Sequence, residues 1–225
     1  MHYDIIITDD HPLYRAALRG AVLAGYPHAA VREAGSVAGL FELLEEQSAA
    51  DLLLLDLNMP GAHGFSALAH LRGAFPQVPV VVISAMDDAA TVRQAIAFGA
   101  QGFLSKSSDT AQIAAGLGRV LAGELAVPPG VALGHGAGAE PAAMELAQRL
   151  AELTPQQFRV YGLLCSGRLN KQIAYELQIA AATVKAHMTA ILRKLGAGNR
   201  TQAVLLASRL AIDPSALRAP PEEID

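Results

Sequence analysis

Cysteine is nearly absent from the 225 residues: Cys165 stands alone inside an apolar helical stretch, and one thiol cannot close an intramolecular disulfide. A disulfide-framed scaffold is excluded, and nothing points to an oxidising compartment. No apolar run approaches the roughly 20 residues that a membrane-crossing helix needs. The first ten residues carry the acidic pair Asp9 and Asp10 where a secretory leader carries basic residues. The expected location is therefore the cytoplasm, with no membrane partner. Strand-like runs are missing from about Glu145 onward, where all apolar spacing is helical.

Charge is unevenly spread, and the overall value of -4 hides it. Residues 1–125 hold 7 Lys and Arg against 13 Asp and Glu, whereas 149–212 hold 9 against 2. An acidic half joined to a compact basic half suggests a nucleic-acid-binding module attached to a unit of different purpose.

In residues 1–125 short apolar runs alternate with amphipathic stretches about five times. The strands are expected at Tyr3–Thr8, Ala30–Ala34, Asp51–Leu55, Val78–Ile83 and Gly102–Leu104, with helices near 12–24, 37–47, 64–73, 88–98 and 109–122. Several runs are apolar throughout, as strands buried on both faces must be. The fold class is thus α/β, a doubly wound five-stranded parallel sheet, followed by an all-α four-helix domain. Val127–Ala139, rich in Pro, Gly and Ala, reads as linker, giving boundaries at 1–125, 126–148 and 149–212 with an acidic tail at 213–225. Thr154-Pro155-Gln156-Gln157 supplies a cap, a first-position proline and a capping-box glutamine, and Asn199-Arg200-Thr201-Gln202 repeats the spacing.

In a doubly wound sheet, functional side chains gather beyond the carboxyl ends of the strands. Asp9 and Asp10 follow the first strand, Asp56 the third, Ser84 the fourth and Lys106 the fifth. Taken singly, the acid pair could be a helix N-terminal cluster before Pro12, Ser84 a strand end and Lys106 a solvated surface residue. Five such residues at successive strand ends override those readings. Three carboxylates in one crevice repel one another, and hard oxygens suit Mg²⁺. Asp56 is the best nucleophile toward a phosphoryl donor, and the turn Leu57-Asn58-Met59-Pro60-Gly61 lets the Asn58 carbonyl reach the ion. Lys106 balances charge on the transferred group and Ser84 hydrogen-bonds its oxygen.

These residues resemble the receiver domain of two-component response regulators, and the whole chain is similar to the NarL/FixJ family. The resemblance implies that Asp56 is phosphorylated by a sensor histidine kinase. It also implies that Asp10 and Asp56, with the Asn58 carbonyl, ligate Mg²⁺ beside Asp9. Ser84 and Phe103 match the switch positions and Lys106 the receiver lysine; Ser107 departs from the proline many receivers carry next, which affects the local loop only. The full-length resemblance extends to regulators of alcohol or glycerol catabolism.

In the second half, Asn170–Leu177, a break at Gln178-Ile179-Ala180 and a helix over Ala182–Leu195 have helix-turn-helix spacing. Val184, Met188, Ile191 and Leu195 recur at intervals that make one face apolar. Lys185, Ala186, Thr189 and Arg193 then point outward, suited to base edges in the major groove of double-stranded DNA. Lys171, Thr183, Lys194 and Arg200 suit phosphate contacts. A bundle with a merely solvated basic face has the same generic pattern. The stretch Leu153–Val204, with Asn170-Lys171-Gln172-Ile173-Ala174 and Thr183-Val184-Lys185-Ala186-His187, is more specific and similar to the LuxR-type domain. That resemblance adds Asn170 to the DNA-facing set and makes Lys185, Ala186 and Thr189 the base-facing positions. Gln157 and Phe158 replace its usual acidic and basic pair. Ala180 stands where a serine usually caps, costing roughly 0.5–2 kcal/mol of helix stability. His187, with no ligand companions at suitable spacing, is structural.

The expected function is a transcription regulator: phosphorylation of Asp56 shifts a receiver equilibrium that controls exposure or homodimerisation of the DNA-binding domain. A phosphatase of the haloacid-dehalogenase type wants a second acid two residues after its nucleophile. Asn58 stands there and cannot donate a proton, so self-phosphorylation without turnover is expected. A receiver serving only as a phosphate-independent platform is disfavoured by the complete set of five residues.

Overall fold

A computed structural model describes residues 2–46, 50–59, 62, 64–132 and 140–210. Five parallel strands, β1 (Asp4–Thr8), β2 (Ala30–Ala34), β3 (Leu52–Asp56), β4 (Val80–Ser84) and β5 (Gly102–Ser105), lie in the order β2-β1-β3-β4-β5. They alternate with α1 (Pro12–Gly25), α2 (Val37–Glu46), α3 (Ser66–Ala74), α4 (Ala89–Ala97) and α5 (Thr110–Leu121).

Successive strand side chains point to opposite faces, so a run such as Ile5-Ile6-Ile7 feeds two cores at once. Ile5, Ile7, Leu52, Leu54, Val81 and Ile83 pack against Leu18 and Val22 of α1 and Leu117 of α5. Ile6, Leu53, Leu55, Val80, Val82 and Phe103 pack the other way, against Leu40 of α2, Leu68 of α3 and Val92 of α4. The register Ile6↔Leu53↔Val80 sets these residues side by side on one face. Each fully buried Leu or Ile contributes about 2 kcal/mol. Asp56 and Ser84 are the last residues of β3 and β4 rather than the first beyond them.

The second half contains α6 (Pro141–Ala151), α7 (Pro155–Cys165), α8 (Asn170–Glu176), α9 (Ala181–Leu195) and α10 (Arg200–Ala207), closed by a 3-10 turn at Ser208–Leu210. Helices α7 to α10 are the expected four-helix unit. Helix α6 corrects the linker boundary of 126–148: the chain is helical from Pro141, a proline at the first turn where its missing N–H costs nothing. Ala126 also belongs to the first unit, since its carbonyl accepts from Phe103 N–H at 2.7 Å. Residues 133–139 of that linker, the turn residues Pro60 and Gly61, and the tail 213–225 lie outside the described residues. Both capping signals hold: Gln157 N–H donates to Thr154 Oγ1 at 3.2 Å and Gln202 N–H to Asn199 Oδ1 at 2.8 Å.

The two halves share one apolar core. Helix α6 lies along α3, so close that a Cβ on Gly73 would sit 2.7 Å from the Ala151 Cα. One turn earlier, the fully buried His70 ring stacks on Phe158 of α7 at 4.4 Å and meets Phe41 of α2 edge-on at 5.1 Å. Its Nδ1 lies 3.0 Å from the Leu150 carbonyl, which requires the Nδ1–H tautomer, while Nε2 has no hydrogen-bond partner among the described residues. Desolvation pushes the His70 pKa down to about 4. The Arg159 guanidinium also donates to the Ala38 carbonyl at 3.2 Å, and the buried Phe65 N–H donates to Leu210 O at 2.9 Å.

Candidate functional site

The carboxyl ends of β1, β3, β4 and β5 open on one crevice: Asp9, Asp10, Asp56 and Lys106 meet in it, and Ser84 ends β4 with its backbone bonded to that of Lys106. Asp9 and Asp56 are 1% and 2% exposed, so their charges are largely withdrawn from water. The Lys106 ammonium answers both, 2.6 Å from Asp9 Oδ2 and 2.8 Å from Asp56 Oδ2. Desolvation raises the Asp56 carboxyl above the ordinary carboxylate range, even though the Lys106 bond and Asn58 N–H, at 3.2 Å from Oδ1, pull it down. Burial would lower Lys106, but the summed attraction of Asp56 and Asp9 outweighs it and raises the ammonium pKa. One ammonium is thus shared between two carboxylates that burial has withdrawn from water.

Ser84 is fully buried at the end of β4 and its Oγ accepts from Met86 N–H at 3.1 Å, while its carbonyl accepts from Lys106 N–H at 2.8 Å. Phe103 is fully buried in β5. The Lys106-Ser107 loop is tied by Ser105 Oγ, which accepts from Ser107 N–H at 3.1 Å. Asn58 follows β3 beside Asp56.

Two crevice residues escaped the sequence reading. His11 turns its Nδ1 to 2.7 Å from Asp10 Oδ1 and 3.4 Å from Asp9 Oδ1. Tyr14 lies under Lys106, whose Nζ is 4.8 Å from the ring centroid; burial pushes the phenol up to about 12. The signal available for both was position: they flank Pro12, one helical turn apart, directly after the acid pair. Ligand atoms of Asp9, Asp10, His11 and Asp56 lie within 4.8 Å of one another, and this mainly hard-oxygen donor set fits a divalent cation.

In the helical unit, α8 and α9 are joined through Gln178, whose φ of 53° is left-handed. Val184, Met188, Ile191 and Leu195 are buried as the spacing required. Thr183, Lys185, Ala186, Thr189 and Arg193 are exposed along α9, as is Lys171 on α8. Three other expected DNA contacts are engaged internally. The Lys194 ammonium donates to Glu152 O at 2.7 Å and Gln157 Oε1 at 2.8 Å. The Arg200 guanidinium donates to the Arg168 carbonyl and reaches Asn170 Oδ1 at 3.4 Å. Gln157 therefore binds its own lysine across the unit. No side chain caps α9 at Ala180.

Comparison with known proteins agrees with these two units. A model of the response regulator receiver domain matches residues 5–117, and one described as bacterial regulatory proteins, luxR family, matches 151–207. The chain belongs to the response regulators that join a receiver to a LuxR-type DNA-binding domain, and it is a transcription regulator of a two-component system. It is 42% identical over 210 residues to the glycerol metabolism activator of Pseudomonas putida, covering 91% of this chain and 95% of that one. It is 32% identical to the transcriptional activator protein ExaE of the same organism, covering 90% and 94%. The Salmonella typhimurium RcsB response regulator has the same fold, with a TM-score of 0.54 at 21% identity over 92% of this chain and 98% of that one. Among the described residues no helix is long and apolar enough to cross a membrane.

Proposed function

We propose that Asp56 is the phosphoacceptor of this regulator and that Asp10, Asp56 and the Asn58 carbonyl hold Mg²⁺ beside Asp9. The observation that carries this reading is the Lys106 ammonium, 2.8 Å from Asp56 Oδ2 in a crevice with two further carboxylates. A sensor histidine kinase in the cytoplasm supplies the phosphoryl group. Asp56 attacks phosphorus, the P–N bond to the kinase imidazole breaks, and the imidazole leaves with a proton. Bound Mg²⁺ would neutralise charge on the transferring oxygens. Lys106 then passes from the Asp56 carboxylate to a phosphoryl oxygen, and the Ser84 hydroxyl turns from Met86 N–H toward another, with Phe103 as the aromatic switch. Asn58 offers no acid for hydrolysis, so Asp56 is a switch and not a turnover nucleophile.

Phosphorylation shifts the receiver toward a state that favours a homodimer on DNA, with two α9 helices in successive major grooves. Lys185, Ala186 and Thr189 face bases, and Lys171 and Thr183 face phosphates. Asn170, Lys194 and Arg200 join the phosphate contacts only by exchanging their internal partners. The glycerol metabolism activator relative suggests target genes of glycerol or alcohol catabolism. The test is labelling by acetyl phosphate with Mg²⁺: the native chain acquires an acid-labile acyl phosphate and Asp56→Asn does not. Persistent label on the variant overturns the assignment.

A further inference from the structure

We propose that His11 is a metal ligand, so that the crevice takes imidazole-accepting divalent ions of the Co²⁺ or Zn²⁺ class with an affinity that its carboxylates alone do not reach. This rests on the reading that the crevice holds a divalent cation, and it adds a ligand and an ion class to it.

The His11 side chain is 69% exposed, yet its Nδ1 is turned inward onto the carboxylates rather than toward solvent. The backbone sets it there. His11 N–H donates to Asp9 Oδ1 at 2.7 Å, its carbonyl accepts from Arg15 N–H at 3.0 Å, and Pro12 starts α1 immediately after it. The ring therefore leaves a chain segment fixed on both sides, at the mouth of the crevice. Donor atoms of Asp9, Asp10, His11 and Asp56 fall within 4.8 Å of one another. Opposite ligands of a six-coordinate ion with bonds of about 2.1 Å stand about 4.2 Å apart, so a slight closing of this set suffices.

Ion class follows from the donors. Mg²⁺ seeks oxygen ligands and keeps waters, and gains little from an imidazole. Co²⁺ and Zn²⁺ accept nitrogen readily, so a fourth donor of this type separates them from Mg²⁺. When Nδ1 binds the ion, the ring proton sits on Nε2 and Asp10 Oδ1 is released to the same ion. The competing reading is a surface contact between His11 and Asp10, which contributes little. The two readings predict different results. Removing a mere neighbour of the carboxylates changes binding of every divalent ion in parallel, whereas removing a ligand weakens only the ions that use it.

The experiment titrates the full-length protein with Co²⁺, followed by visible absorption, and then displaces Co²⁺ with Mg²⁺. His11→Ala should lower the ratio of the Mg²⁺ to the Co²⁺ dissociation constant by about tenfold. In the native chain the His11 ring NMR resonances should shift with Zn²⁺ and not with Mg²⁺. His11→Gln, which keeps a polar side chain, repeats the test if the alanine variant does not fold. An unchanged ratio in the folded variant, or identical ring shifts with both ions, overturns the proposal. Asp56→Asn separates the two levels. If neither ion's binding depends on Asp56, the metal site under the proposed function fails. If both depend on Asp56 and His11→Ala leaves their ratio alone, only the His11 ligand fails.

Discussion

The acidic crevice and the seam between the two halves are built on opposite principles. The crevice brings three carboxylates and one lysine together, a set whose charges, on the proposed reading, await a cation and a phosphoryl group. The seam is apolar and aromatic, closed by shape, with His70 held neutral between Phe158 and Phe41. The difference teaches where change enters: electrostatics at the crevice respond to chemistry, whereas the seam responds to loss of shape. Helix α3 follows β3 in the chain, starting at Ser66, and carries His70 and Gly73, so it connects the two.

Breaking the seam should have the largest effect. Phe158→Ala removes the ring stacked on His70 and leaves a cavity shared by both halves, and is expected to cost about 4 kcal/mol in urea unfolding, with early loss of α6 amide protection by hydrogen exchange. A titration sharpens the same contrast. The folded-state pKa of His70, about 4, lies below its ordinary 6.5, so its neutral ring contributes fully above pH 6.5 and that contribution is lost as pH falls toward 4. At about 1.4 kcal/mol per unit this amounts to about 3 kcal/mol across the window, and His70→Phe should flatten the thermal-stability profile there. In the crevice, Lys106→Ala leaves Asp9 and Asp56 facing each other and should cost about 2 kcal/mol, a loss that shrinks when Mg²⁺ is added. The response to Mg²⁺ is the mark of the crevice, and Phe158→Ala should not show it. The smallest effect is a gain: Ala180→Ser supplies the missing cap of α9 and should add about 1 kcal/mol, read as a higher melting temperature.

The crevice was legible because strand ends in a doubly wound sheet converge, so local runs of Ile, Leu and Val located Asp9, Asp10, Asp56, Ser84 and Lys106 with no contact known. The α9 face was legible from periodicity alone. His11 and Tyr14 were not, since their placement depends on the angle at which α1 leaves β1. Helix α6 was half seen: helical spacing showed from Glu145, but its first turn follows a Pro, Gly and Ala tract, and its buried face uses Ala143 and Ala147 beside Leu146 and Leu150.

By itself the sequence determined the layered sheet, the five strand-end residues and the helix-turn-helix, because each follows from spacing along a few neighbouring residues. Only the tertiary structure decided the seam. His70 meets the Leu150 carbonyl and Gly73 admits Ala151 across some eighty residues of chain. A buried histidine and a helical glycine show no local pattern that names such a distant partner. It also decided that Lys194 and Arg200 satisfy internal carbonyls, because a cation's partner is set by what folds within reach of it.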